Sequence, residues 1–244
     1  MASERLEVDS LERIVPDELD AAGATGRSTL ELHLERYAFA SRHVTAGRLL
    51  DMACGVGYGL HYLADRNPPI VEGHGVDLSS SAIAYARQHY SHPRVQYFCA
   101  DATTFRGREA YDGIVSLETI EHVPEPAKFF RHLVSLLAPG GVLVASVPTT
   151  PSMDGNPNHL TDFTERSFRK LGQGTGLRET DCLRQVQPFS ASAVALGKER
   201  RLARTPAQLM GFYLRRPGKL ALRVGATVRY GFTNRYITIA WRKA

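Results

Sequence analysis

Short apolar runs bounded by glycine, proline or polar clusters alternate along this chain with stretches whose apolar residues recur at helical spacing. The first run, "RLLDMA", reads as a buried strand and ends in the glycine-rich turn "CGVGYG". "LHYLADR" follows as a helix, "VEGHGVDLS" as a second strand and "SSAIAYARQHY" as a helix with a serine cap. "RVQYFCADA" and "YDGIVSLE" give the third and fourth strands. "PEPAKFFRHLVSLLAPGG" is a helix closed by Pro-Gly-Gly, and "VLVASVP" is the fifth strand. "TERSFRKLGQGTG" is a further helix, "RETDCLRQVQ" a sixth strand, and "RYITIAWRK" alternates as the last. Ahead of the first strand, a helix capped by Ser28 or Thr29 runs to about Val44, with Leu30, Leu34, Tyr37 and Ala38 on one face. Residues 1–28 lack strong periodicity and read as a loosely structured arm.

Strands alternating with helices imply right-handed crossovers and a doubly wound α/β fold, its seven-stranded sheet mainly parallel. In such folds ligands bind at the carboxyl ends of the strands. At 244 residues, 43% hydrophobic and 23% charged, the chain has the composition of one soluble domain with insertions. The acid-rich start "MASERLEVDS" fits neither a secretory signal nor a transit peptide, and no apolar run spans a bilayer, so a cytoplasmic enzyme is expected. Cys54, Cys99 and Cys182 are far apart and odd in number, against a disulfide framework or zinc spacing.

The strand ends carry the candidate chemistry. Asp51 precedes Gly55, Gly57 and Gly59, a loop built for a ligand to approach backbone closely. Asp77 ends the second strand, where a carboxylate can accept from both hydroxyls of a ribose. Asp101-Ala102 ends the third, offering a carboxylate and an amide to an adenine edge. Taken singly, Asp51 and Asp77 are equally turn or capping residues.

In order and spacing, "LLDMACGVGYG", "GVDLS", "FCADA" and "YDGIVSLETIEHVPEPAKFFRHLVSLLAPGGVLVASVP" resemble the class I S-adenosylmethionine-dependent methyltransferases. The resemblance runs from about Leu30 to Gln187 and includes the terminal strand. It implies that Asp51 and the Gly55–Gly57 backbone hold the methionine part of S-adenosylmethionine, Asp77 the ribose, and Asp101-Ala102 the adenine, with Leu78 and Leu117 beside them. Ala53 stands where the family usually has glycine. Such proteins often close the site with the helix before the first strand, so Arg36 or Tyr37 can meet the cofactor carboxylate. The competing reading of His33, Arg36 and Tyr37 is a solvated face plus one core aromatic. The resemblance also divides the chain into an arm (1–28), a cofactor-binding core (29–188), a basic substrate-side insert (189–233) and a terminal strand (234–244), all one methyltransferase domain.

"SLETIEHVPEP" follows the fourth strand and places Glu118, Glu121 and His122 together. Carboxylates three apart on a helical turn share a face, and with an imidazole they suit a divalent ion such as Mg²⁺ or Mn²⁺. They are equally compatible with acid–base work by His122, or with acidic residues complementing a helix N-terminus. The spacing Glu-x-x-Glu-His resembles the ubiquinone-biosynthesis O-methyltransferases (methyltransferase type 11) and the small-RNA 3′-terminal 2′-O-methyltransferases. In both branches this motif holds a metal together with a later histidine. That resemblance implies a metal set of Glu118, Glu121, His122 and His159, with His159 supplied by "NPNHLTDFTERSF". Without a metal, His122 or His159 is the candidate base.

The net charge of +5 is uneven. Nine Lys/Arg and one acid, Glu199, lie between Lys198 and Arg229, which leaves 21 basic and 24 acidic residues elsewhere. The insert therefore reads as a cover selecting an anionic acceptor, as a partner-helix or membrane-surface face, or as a solvated hairpin. "ERIVPDE", "HLERYAFA" and "NPNHLTDFT" resemble bacterial methyltransferases acting on sugars and secondary metabolites. The expectation is a metal-assisted O-methyltransferase of a small sugar-containing or natural-product acceptor, with a homodimer left open. The alternatives are a metal-free N- or O-methyltransferase, an RNA 2′-O-methyltransferase, and a non-catalytic cofactor-binding relative. Nucleic acid is disfavoured, because no RNA-binding module or aromatic-rich basic platform is evident.

Overall fold

The computed structural model describes residues 15, 16, 19–189 and 206–244. Most of the expected arm and residues 190–205 of the basic insert lie outside the described residues.

Five strands form the parallel body of the sheet: β1 (Gly47–Met52), β2 (Ile70–Asp77), β3 (Val95–Cys99), β4 (Tyr111–Leu117) and β5 (Leu137–Pro148). β6 (Leu177–Pro188) and β7 (Thr233–Lys243) complete it in the order β3-β2-β1-β4-β5-β7-β6, with β7 antiparallel to both neighbours. The chain order reverses between β1 and β4, and that switch point opens a crevice at the strands' carboxyl ends. Side chains alternate across the sheet, so adjacent residues serve opposite cores. Leu50 and Met52 pack with Ile114, Phe130 and Trp241 on one face, while Leu49 packs with Leu60, Leu63 and Val144 on the other. Burial on both faces explains why β1, β4 and β5 read as continuous apolar runs.

The helices are α1 (Leu19–Ser41), α2 (Tyr58–Arg66), α3 (Ser80–His89), α4 (Pro126–Leu136) and α5 (Glu165–Gly172), then α6 (Pro206–Arg215) and α7 (Pro217–Tyr230) in the insert. The Ser79 hydroxyl caps α3 by accepting from the Ala82 amide, and Pro126 opens α4 at its first turn.

Two boundaries differ from expectation. α1 begins at Leu19, so part of the expected arm is helical and Ser28 lies inside the helix instead of capping it. The two glycines in "AAGATGRS" each cost about 1 kcal/mol of helix propensity, which alanine neighbours and an existing helix tolerate. β5 begins at Leu137, not Val142, because Leu137 already pairs with Tyr111 across a register shift. The Pro-Gly-Gly segment is therefore strand, and α4 stops at Leu136.

Candidate active site

The turn after β1 runs through three residues with positive φ: Ala53 at 69°, Gly55 at 57° and Gly57 at 89°. Ala53 bears the steric cost of that conformation at a position where glycine is free of it. Gly59, in the first turn of α2, is required by contact: a Cβ there would lie 1.8 Å from the Tyr37 ring. α1 therefore packs directly on the glycine loop. Tyr37 donates from its hydroxyl to Asp51 Oδ2 at 3.0 Å.

Asp51 is buried, and its Oδ1 makes no hydrogen bond among the described residues. Burial lifts its carboxyl to about 7; the Tyr37 hydrogen bond opposes the rise and the nearby Asp77 adds to it. Arg36, adjacent to Tyr37, is only 1% exposed, so the solvated-face reading fails for it. Its Nε donates to Gln185 Oε1 at 2.7 Å, and its guanidinium lies 4.4 Å over the Tyr236 ring. Arg36 Nη1 makes no hydrogen bond among the described residues, and sits 3.7 Å from Glu118 Oε1. A buried guanidinium N–H with only an ion pair to Glu118, and a buried carboxylate oxygen, thus both lack a hydrogen bond among the described residues. Such groups are costly unless a ligand completes them. A zwitterionic amino-acid group has the complementary charges.

Asp77 accepts from the Gly55 amide and the Ser79 amide, each at 2.9 Å, and so ties the glycine loop to the end of β2. An ionised carboxylate retains lone pairs for further donors. Asp101 is exposed, and its Oδ1 accepts from the Thr103 amide and hydroxyl at 2.8 Å. Those two bonds hold its carboxyl below the usual range. Leu78 is 75% exposed between these two strand ends, an apolar surface for a flat ring. Ala102 is half-buried, and Leu117 is buried.

The cluster after β4 divides in two. Glu118 is not on a helix: β4 ends at Leu117 and Glu118 takes φ 50°. Its amide and Oε1 both bond the Ser146 hydroxyl of β5, at 3.0 and 2.7 Å. The expectation of two carboxylates on one helical face is corrected accordingly, because the left-handed residue breaks the register between Glu118 and the 3-10 turn Ile120–His122. Glu118 stands with Arg36, outside the group formed by Glu121, His122 and His159. Those three each offer a ligand atom within 4.8 Å of the others. Glu121 is fully buried, and the two imidazoles meet edge to face at 4.6 Å.

His159 arrives on the long loop between β5 and α5, which two bonds from the Leu160 and Thr161 amides to the Glu121 carbonyl fasten beside β4. Its Nδ1 is 2.7 Å from the Ser152 hydroxyl, and His122 Nδ1 is 3.2 Å from the Asn158 carbonyl. Asp162 in turn accepts from the Ser152 and Met153 amides and from Lys219 Nζ at 2.7 Å. Burial opposes ionisation of Asp162, but these bonds outweigh it and hold the carboxyl low. Asp154, also buried, receives Arg223 Nε at 2.6 Å and the Tyr213 hydroxyl. The inner faces of α6 and α7 therefore clasp the loop that carries His159. Ser152, Asp154 and Asp162 were not marked as site residues by the sequence, where "PSMDG" and "TDF" show only turn chemistry.

A family model of the methyltransferase domain matches residues 27–194, well over half of the chain. The chain belongs to the class I S-adenosylmethionine-dependent methyltransferases. A probable S-adenosylmethionine-dependent methyltransferase of Mycolicibacterium smegmatis is 30% identical over 149 residues, 58% of this chain and 56% of that protein. A ubiquinone biosynthesis O-methyltransferase of a Bradyrhizobium species is 32% identical over 114 residues, 46% of this chain and 44% of that one. The chain thus spans about half the length of the curated relatives it matches. Among solved structures, the N-methyltransferase NodS of Bradyrhizobium japonicum with S-adenosyl-L-homocysteine superposes with a TM-score of 0.59 at 17% identity, covering 88% of this chain and 87% of that one. The [4+2]-cyclase SpnF matches with a TM-score of 0.60 at 22% identity, over 86% and 80%. These two likenesses concern fold alone, and a cyclase among them shows that this methyltransferase fold does not by itself fix the reaction.

Proposed function

We propose that this methyltransferase moves the methyl group of S-adenosylmethionine to a hydroxyl of a small acceptor, at a divalent metal held by Glu121, His122 and His159. The observation that carries this reading is the convergence of a buried carboxylate and two imidazoles beside the end of β4, across the switch point from Asp51. The His159–Ser152 bond adds support, since metal-bound histidines characteristically use their second nitrogen on an oxygen that fixes the ring.

The donor set differs from the expected one. With Glu118 outside it, two nitrogens and one carboxylate remain, a set that suits the borderline Zn²⁺ and that Mn²⁺ accepts more readily than Mg²⁺ with its strict octahedral demand. A metal there would act as a Lewis acid, lowering the acceptor hydroxyl's pKa. The protein's own part is orientation. Ser152 sets the His159 ring, the 3-10 turn sets Glu121 and His122, and buried Ile120 and Val123 keep the turn dry on its core side.

For the cofactor, Arg36 Nη1 would bind the carboxylate and Asp51 Oδ1 the ammonium of its amino-acid end. The backbone of Ala53, Gly55 and Gly57 would line the methionine chain, with Leu117 beside it. Asp77 would take the ribose hydroxyls, and Leu78, Asp101 and Ala102 the adenine. A metal-free reading rests on the same Ser152–His159 bond, which would equally orient a general base.

The test is methyl transfer to a panel of catechols, sugars and glycosides, with EDTA and after Mn²⁺ is restored. The metal reading requires activity that EDTA abolishes and Mn²⁺ returns, and a silent Glu118→Gln beside a dead Glu121→Gln. Activity indifferent to EDTA but lost in His159→Ala would establish the metal-free base instead.

A further inference from the structure

α7 is packed with its polar side inward. It has no buried residue, and its ties to the body are charged: Lys219 to Asp162 and Arg223 to Asp154. Its apolar residues face outward. Leu220, Val224 and Val228 recur at spacing four and form one exposed stripe, with Val228 83% exposed. On α6, Phe212 is buried and Tyr213 reaches Asp154, which leaves Met210 and Leu214 outside. A solvated hairpin would show the reverse pattern, so this face is built to be covered.

The charge of the segment identifies the cover. No Asp or Glu occurs from Arg200 to the C-terminus. Within α6 and α7, Lys219 and Arg223 are neutralised from within, whereas Arg215, Arg216 and Arg229 are exposed beside the apolar stripe. A second copy of the same face would bring like charges together, which opposes self-association. A nucleic-acid strand would call for a row of exposed aromatic platforms; the stripe is aliphatic, and Tyr230 and Phe232 are exposed just beyond its carboxyl end. Aliphatic side chains flanked by arginines match the boundary between acyl chains and anionic headgroups. No described helix is long and apolar enough to cross a membrane, so the fit is to lying on the surface.

We propose that α6 and α7 dock this protein on an anionic lipid surface, with Leu214, Leu220, Val224 and Val228 entering the acyl boundary and Arg215, Arg216 and Arg229 meeting the headgroups. The inference does not depend on the metal reading. It gives the insert two faces, one clasping the His159 loop and one for a membrane.

The experiment is co-sedimentation of the full chain with phosphatidylcholine vesicles, alone and with phosphatidylglycerol. Binding should be at least about tenfold tighter to the anionic vesicles and should weaken as salt is raised. The double variant Val224→Glu/Val228→Glu should lose at least about tenfold in affinity. Both positions are exposed, so its melting temperature and cofactor binding should match the wild type. The proposal is overturned by equal binding of the double variant, or by no binding to the mixed vesicles. It is equally overturned if the wild type is a dimer that the double variant splits without either touching vesicles, or if an oligonucleotide is bound in preference to lipid.

Discussion

Replacing Asp51 by asparagine keeps the shape of the side chain and removes the charge that burial makes costly. The native carboxyl titrates at about 7, against about 3.9 in an unfolded chain. Between those values the folded state binds the extra proton, so stability falls as pH rises and levels off above the folded pKa. Integration gives a penalty of about 1–2 kcal/mol at pH 5 and about 4 kcal/mol at pH 8. An asparagine side chain in the same place would still accept from the Tyr37 hydroxyl and would carry no such penalty. Urea unfolding of wild type and Asp51→Asn at the two pH values should therefore show the variant gaining by about 2–3 kcal/mol more at pH 8 than at pH 5. The same substitution should weaken S-adenosylmethionine by about 10- to 100-fold, the worth of one charged hydrogen bond to an ammonium. Wild-type binding near pH 7 should release a proton, since a cation beside Asp51 favours its ionised form; calorimetry in buffers of different ionisation enthalpy reads this. A stability difference that does not change with pH would mean that burial does not raise the Asp51 carboxyl.

Ala53→Gly should stabilise the protein by about 0.5–1 kcal/mol, the left-handed cost at φ 69° less the added chain entropy, and a rise in melting temperature checks it. Gly59→Ala should cost about 2 kcal/mol or more, because its Cβ would displace the Tyr37 ring, and calorimetric titration should show weaker cofactor binding as well. Lys219→Met should lower affinity for Mn²⁺ by about tenfold without removing a ligand, since Lys219 acts through Asp162 and Ser152 on His159.

The parallel body was legible because strands buried on both faces advertise themselves as apolar runs, and the family because four strand-end motifs occur in a fixed order. What escaped was set by contacts distant in sequence. For Arg36 the sequence leaves a cofactor contact and a solvated helix position both open, and it is Gln185 on β6 and Tyr236 on β7 that enclose it. Asp154 and Asp162 look like turn residues until Arg223 and Lys219 reach them from the insert. Glu118 was grouped with Glu121 because spacing alone assumes one continuous helical turn. The left-handed residue at the end of β4, held by Ser146 on the neighbouring strand, separates them. His159 is singled out by its motif as a candidate, but the Ser152 hydroxyl 2.7 Å from its ring has no sequence signature.

A metal centre at Glu121, His122 and His159 can be tested without knowing the acceptor. The purified chain is titrated with Mn²⁺ in the presence of S-adenosyl-L-homocysteine, and binding is followed by loss of the free ion's electron paramagnetic resonance signal. One site per chain is expected, abolished in Glu121→Gln and in His159→Ala and retained in Glu118→Gln. Binding that survives Glu121→Gln, or no saturable site at all, would rule the centre out.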